Sequence, residues 1–240
     1  MTDRTTVADR LFVALDVPDL AAALTCARRL RPLGVRFKVG LELFCRVGPA
    51  GVLALQGVTG PLFLDLKLHD IPRTVRRAVS AIAGLGAWGV TLHAAGGPAM
   101  LRAGVEAARE AGGARRLRIL AVTVLTSIDA DLLAALGVGL PLPEQVRRLV
   151  ALAVAAGCDG AVASAAEAGV VRAQAGPHFL VVTPGIRPEG AAWGDQARVA
   201  TPRAAHAAGA DLLVVGRPVT EASDPLAATE AILREMVGGG

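Results

Sequence analysis

Eight short apolar segments, rich in β-branched residues, recur along the 240-residue chain, and a stretch with helical spacing follows nearly every one. They are Leu11–Leu15, Val35–Val39, Leu62–Leu66, Gly89–Leu92, Ile119–Val124, Gly160–Ala163, Phe179–Thr183 and Asp211–Val215. Helical spacing marks Asp19–Leu30 (with Asp19 placed to cap it), Arg73–Gly84, Pro98–Ala111, Pro143–Ala156, Ala165–Ala175, Pro202–Ala208 and Pro225–Met236. Gly48–Gln56 is a weaker crossover, and Ser127–Leu142 reads as a longer connection with its own short helical turn. Strands that are apolar on both faces and joined by helices belong in a parallel sheet covered on both sides, and eight such units close it into a (β/α)8 TIM barrel. An open doubly wound sheet would carry a Gly-rich fingerprint after its first strand, and none follows Leu15. No linker or low-complexity stretch divides the chain, so residues 1–240 read as one α/β barrel domain with its core at about 11–236.

With 53% of its residues hydrophobic and 19% charged, such a chain can bury a large core. Charges, Gly or Pro interrupt its apolar runs before they reach the roughly 18 residues of a membrane span, so no membrane partner is expected. Met1–Arg10 carries Asp3, Arg4, Asp9 and Arg10 instead of an apolar signal core, and Cys26, Cys45 and Cys158 lack metal-ligand spacing. These features predict a cytoplasmic protein without a metal site. The sequence pI of 9.6 raises nucleic acid as a partner. The net charge of +4 is dispersed, however, and the clusters Arg28-Arg29-x-Arg31 and Arg115-Arg116-x-Arg118 have no interleaved aromatics, so they read as solvated faces.

Of the 25 Lys and Arg residues only two, Lys38 and Lys67, are lysine, and the chain has no asparagine or tyrosine. Arginine serves wherever a generic cation suffices, which directs attention to the two compact ammonium groups. In a barrel of this type the site gathers at the C-terminal ends of the strands, where polar residues here interrupt the apolar pattern. Asp16 follows strand 1, Lys38 lies late in strand 2, Asp65 and Lys67 lie on strand 3, and His93 ends strand 4. Thr123 and Thr126 close strand 5, Arg187 follows strand 7, and Gly216-Arg217 follow strand 8. Singly, several have structural readings: Asp16 as a helix cap, His93 as a satisfied core histidine, Arg187 as a loop brace. Asp65-x-Lys67 resists one, because period-2 alternation turns both side chains to the same side of Phe-Leu-Asp-Leu-Lys-Leu, where charges must be paired. Pro184-Gly-Ile-Arg187 and Gly216-Arg217-Pro218 occupy the loops that commonly hold phosphate in such barrels, Gly allowing close backbone approach and Arg a bidentate fork.

Eight blocks resemble the orotidine 5′-phosphate decarboxylase family, in family order from about residue 11 to 220. They are Leu-Phe-Val-Ala-Leu-Asp16, Phe-Lys38-Val-Gly, Asp65-Leu-Lys67-Leu-His-Asp70-Ile-Pro-Arg-Thr74, Val-Thr-Leu-His93-Ala, Ala-Val-Thr-Val-Leu-Thr126-Ser, Val-Thr-Pro-Gly-Ile-Arg187, Gly-Asp-Gln196 and Val-Val-Gly216-Arg217-Pro. The resemblance implies loss of CO₂ from C6 of orotidine 5′-monophosphate to give UMP, the last step of de novo pyrimidine nucleotide synthesis, with no cofactor and no metal. It implies Lys67 as proton donor to C6, Asp65 beside the substrate carboxylate, and an array completed by Lys38 and by Asp70 from a second subunit. Asp16, Lys38, Asp70 and Thr74 would contact ribose, Thr126 would lie near the base, and Arg187, Gln196, Gly216 and Arg217 would form the phosphate end, with Gln196 on a lid-like loop. It thus implies a homodimer in which Asp70, Ile71 and Thr74 reach the neighbouring site. Arg73 departs from the asparagine the family often carries there.

Two other readings remain at this point. A sugar-phosphate decarboxylase of the same structural group, such as a 3-keto-gulonate 6-phosphate decarboxylase, would use the strand-3 acids to hold Mg²⁺; Ile71-Pro72 and Gln196 favour the pyrimidine reading. A non-catalytic binder of phosphorylated ligands would bind nucleotide without turnover.

Overall fold

In the computed structural model, which describes residues 6–112, 116–189 and 199–237, eight parallel strands close into a barrel in sequence order, β1 pairing with β8. The strands are β1 (Leu11–Ala14), β2 (Arg36–Gly40), β3 (Phe63–Leu68), β4 (Gly89–His93), β5 (Arg118–Val122), β6 (Gly160–Val162), β7 (Leu180–Thr183) and β8 (Leu212–Val215). The helices are α1 (Leu20–Leu30), α2 (Leu41–Thr59), α3 (Pro72–Gly84), α4 (Gly97–Glu110), α5 (Ala130–Ala135), α6 (Leu142–Ala156), α7 (Ala165–Ala175), α8 (Pro202–Ala207), α9 (Arg217–Thr220) and α10 (Pro225–Val237). The expected alternation is therefore present. Asp19 caps α1 by accepting from the Ala22 amide at 2.8 Å, and Asp129 caps the short turn anticipated within Ser127–Leu142 by accepting from Leu132 at 2.9 Å.

Two elements differ from the sequence reading. The weak crossover at Gly48–Gln56 is the middle of the 19-residue α2, which is interrupted at Gly48 (φ 59°) next to Pro49. A glycine in the left-handed region followed by proline breaks the helical periodicity that a local pattern relies on. By length and composition alone α2 is also apolar enough to cross a membrane, contrary to the expectation for the chain. In the fold its Leu43, Val52 and Leu55 are buried in the core. The second difference is α9, a single turn directly after β8 that the pattern did not suggest.

Side chains divide into two cores, as a closed barrel requires. One lies between strands and helices; the other fills the barrel with Phe12, Ala14, Phe63, Trp88, Leu120, Val182, Leu212 and Val214. Phe12 and Trp88 meet at 4.8 Å between ring centroids, and the Arg118 guanidinium lies 4.9 Å from the Trp88 ring. Phe12, Trp88, Leu120 and Leu212 lie toward the strand starts, whereas Ala14, Val182 and Val214 lie nearer the strand ends. The packed rings of Phe12, Phe63 and Trp88 plug the N-terminal end of the barrel, and the open space lies above them at the C-terminal mouth.

Candidate active site

A cavity of about 660 Å³ occupies that mouth. Asp16, Lys38, Asp65, Lys67, Thr126, Arg187, Gly216 and Arg217, all singled out in the sequence, line it. Gln196 lies outside the described residues, as do the Met1–Thr5 end and the Gly238–Gly240 tail. Asp70 and Thr74 do not join this cavity. Both are exposed beyond the end of β3, together with Ile71 at 65% exposure, and Asp70 Oδ1 accepts from the Ile71 amide at 2.6 Å.

Four charges form a chain across β1, β2 and β3. Lys38 Nζ lies 3.3 Å from Asp16 Oδ1 and 3.8 Å from Asp65 Oδ2, and Lys67 Nζ lies 2.7 Å from the same Asp65 oxygen. Signs thus alternate as Asp16, Lys38, Asp65, Lys67 within one subunit. Lys38 is almost wholly buried and Asp65 largely so. Burial pushes the Asp65 carboxyl up, but the ammonium groups of Lys38 and Lys67, with hydrogen bonds from Lys67 and Thr91, outweigh it and hold it below the ordinary carboxylate range. Opposite this strip the cavity wall is apolar, built from Val122, Val162, Val182 and Val214. Charges beside a low-dielectric wall act on a bound ligand more strongly than they would in water.

Asp65 and Lys67 share the cavity as the alternation of β3 predicts, yet not through a regular strand. Register passes from Leu64 opposite Val90 to Leu68 opposite Leu92, so four residues of β3 span two of β4. Within this bulge Lys67 has φ 48°, the one non-glycine residue with positive φ among the described residues. A side chain held in the left-handed region costs roughly 1–2 kcal/mol and persists only where its surroundings enforce it.

Several contributors were not singled out from sequence. Thr91, inaccessible to solvent on β4, contacts both Asp65 and the Lys67 backbone. At Gly40, which ends β2, a Cβ would lie 2.8 Å from Asp16 Oδ1 and 3.0 Å from Lys38 Nζ, so only glycine lets this pair approach the strand end. Polar residues inside an apolar strand were the available signal for the first; the second depends on a cross-strand approach. Thr123, by contrast, donates its hydroxyl to the Val162 carbonyl at 2.9 Å and serves the β5–β6 contact. His93 is half-buried, stacked on His69 at 5.4 Å, with Nδ1 buried and unpaired. Burial, then His69 and Lys67, push its imidazole below the usual range against the opposing pull of Asp65.

At the β7 and β8 ends, the Arg187 amide donates to the Ala200 carbonyl at 2.9 Å, and its guanidinium, buried against the loop, donates to the Ile186 carbonyl at 2.9 Å. Gly185 takes φ 75°, and Gly216 precedes the turn α9 that carries Arg217. Two arginines on two glycine-containing loops therefore stand at one end of the cavity, suited to an anionic group.

Comparison with known proteins agrees with this geometry. The model of the orotidine 5′-phosphate decarboxylase / HUMPS family matches residues 9–232. The orotidine 5′-phosphate decarboxylase of Thermobifida fusca is 54% identical over 94% of this chain and 95% of its own length, and that of Dichelobacter nodosus 50% identical over 94% and 98%. Among solved structures, the orotidine 5′-phosphate decarboxylase of Lactobacillus acidophilus superposes with a TM-score of 0.84 at 39% identity, covering 95% of this chain and 99% of that one. The chain belongs to the orotidine 5′-phosphate decarboxylase / HUMPS family.

Proposed function

From membership of that family, we propose that the chain decarboxylates orotidine 5′-monophosphate to UMP and CO₂ in the cytoplasm, as one barrel domain spanning residues 1–240. The observation that carries this reading is the Lys38–Asp65–Lys67 chain set against an apolar wall in a cavity with two arginines at its far end. The substrate carboxylate would lie against Asp65, where at ~4 Å and an effective dielectric near 20 two like charges repel by about 4 kcal/mol. As the bond from C6 to the carboxylate breaks, its electron pair stays on C6 beside the Lys67 ammonium. Stabilisation of that developing charge lowers the barrier. Lys67 then gives its proton to C6, and the neutral amine regains one from water. Arg187, Gln196, Gly216 and Arg217 hold the phosphate, Thr126 lies near the base, and Asp16 and Lys38 meet the ribose. Binding energy from the phosphate, remote from the reacting bond, can be used to press the carboxylate into place.

The exposed position of Asp70, Ile71 and Thr74 supports their use across a homodimer interface, the partner's Asp70 extending the charge chain beyond Lys67. Adding orotidine 5′-monophosphate and following loss of orotate absorbance tests the activity, with Lys67→Ala as the control. A parent protein that does not turn over would overturn the reading. Mixing inactive Lys67→Ala and Asp70→Ala proteins should restore some activity through hybrid dimers, and absence of recovery would refute the shared site.

A further inference from the structure

We infer that Thr91 is a positioning residue for the reaction: its single hydroxyl holds Lys67 in its left-handed backbone conformation and fixes the orientation and ionisation of Asp65. This inference rests on the decarboxylase reading for its catalytic consequence, but its geometry stands apart from it. Thr91 lies in the middle of β4 with no solvent exposure. A hydroxyl in such a place must find partners within the protein. It finds two, from residues 24 and 26 positions away: the Lys67 backbone nitrogen at 2.8 Å and Asp65 Oδ1 at 2.9 Å.

The chemistry of the groups sets the direction of both bonds. A backbone N–H only donates, so the Thr91 oxygen accepts from Lys67. An ionised carboxylate only accepts, so the one hydroxyl proton goes to Asp65. The two bonds are therefore compatible only while Asp65 is ionised or carries its proton elsewhere. Occupying Oδ1 in this way leaves Oδ2 to Lys67 at 2.7 Å and Lys38 at 3.8 Å. One hydroxyl thus ties down the backbone of the proton donor and the carboxylate that faces it, at the point where β3 bulges away from its regular register with β4. Without it, the Lys67 amide in the bulge has no partner from Thr91, and Asp65 loses a bond that favours its charged form.

The test compares Thr91→Val, which keeps the side-chain shape and removes the hydroxyl, with Thr91→Ser, which keeps the hydroxyl. The valine variant is expected to lose about 10- to 100-fold in kcat, as small displacements of reacting groups do. Its affinity for UMP, which has no carboxylate to set against Asp65, should stay within about twofold, by the same argument that only the transition-state contacts change. The acid limb of its pH–rate profile should move to higher pH, and the serine variant should restore both kcat and that limb. Independently of turnover, the Asp65 carboxyl carbon, assigned by its disappearance in Asp65→Asn, should titrate at higher pH in Thr91→Val than in the parent by NMR. If the parent is inactive while this titration still moves, the decarboxylase reading falls and the positioning role survives. If Thr91→Val keeps the parent's titration and kcat, or loses UMP affinity in parallel with kcat without rescue by serine, the positioning role is overturned. Thr91→Ala takes the place of the valine variant should that protein fail to fold.

Discussion

Replacing Lys67 by Met keeps an unbranched side chain of similar length and removes the ammonium, which isolates the charge pairing at the centre of the site. In the parent that ammonium lies 2.7 Å from Asp65 Oδ2, with 31% of the Lys67 side chain exposed. At this separation and an effective dielectric near 20 the direct attraction is about 6 kcal/mol. Solvent access and the desolvation of both groups offset much of it, leaving a net of about 1.5–3 kcal/mol, the range for hydrogen bonds to charged groups. The expected loss of folding stability at pH 7 is therefore about 2 kcal/mol. Its pH dependence is diagnostic. Asp65 is held below its ordinary value in the fold, so it stabilises the fold above the unfolded pKa of about 3.9, and this contribution disappears as pH falls through the folded value. Without Lys67 the effect of burial is less well opposed and the folded value rises, so the contribution shrinks. The difference between parent and variant should be full near pH 7 and close below about pH 4, where Asp65 takes up its proton in the unfolded chain and then in the fold. Urea unfolding of both proteins at pH 7, 5 and 3.5 measures it. A difference as large at pH 3.5 as at pH 7 would assign the effect to packing of the alkyl chain and refute the charge argument.

Gly40→Ala, which drives a Cβ against Asp16 and Lys38, should raise KM by about tenfold while the melting temperature changes little; an unaltered KM would show that the pair tolerates displacement. For His93, whose folded pKa is depressed, the unfolded chain protonates first, so stability is lost as pH falls below about 6.5. His93→Phe should flatten the fall in stability between pH 7 and pH 5, measured by urea unfolding, and an unchanged slope would contradict the burial argument. Cys158 is pushed up to about 12 by burial and the neighbouring Asp159, whereas Cys45 is exposed. A thiol reagent at pH 8 should modify Cys45 at once and Cys158 only after unfolding; equal rates in the native protein would refute that ordering.

What the sequence determined by itself was whatever depends on local periodicity and residue chemistry. The βα alternation implies a parallel sheet because both faces of each strand are apolar, and eight units imply closure. Lys38, Asp65 and Lys67 within those strands, with Asp16 and Arg187 just beyond strand ends, mark the mouth, because a charge in an apolar strand must have a partner. Scarcity of lysine makes Lys67 conspicuous in the sequence alone. Tertiary structure alone decided how the charges meet. The bulge in β3, the left-handed backbone of Lys67 and the Thr91 hydroxyl between them depend on register with β4, more than twenty residues further along the chain. Gly40 matters through an approach between β1 and β2, and α2 runs through a Gly48–Pro49 break at which the local pattern begins only a weaker crossover. Cross-strand register is set by closing the whole barrel, and no period along one segment encodes it.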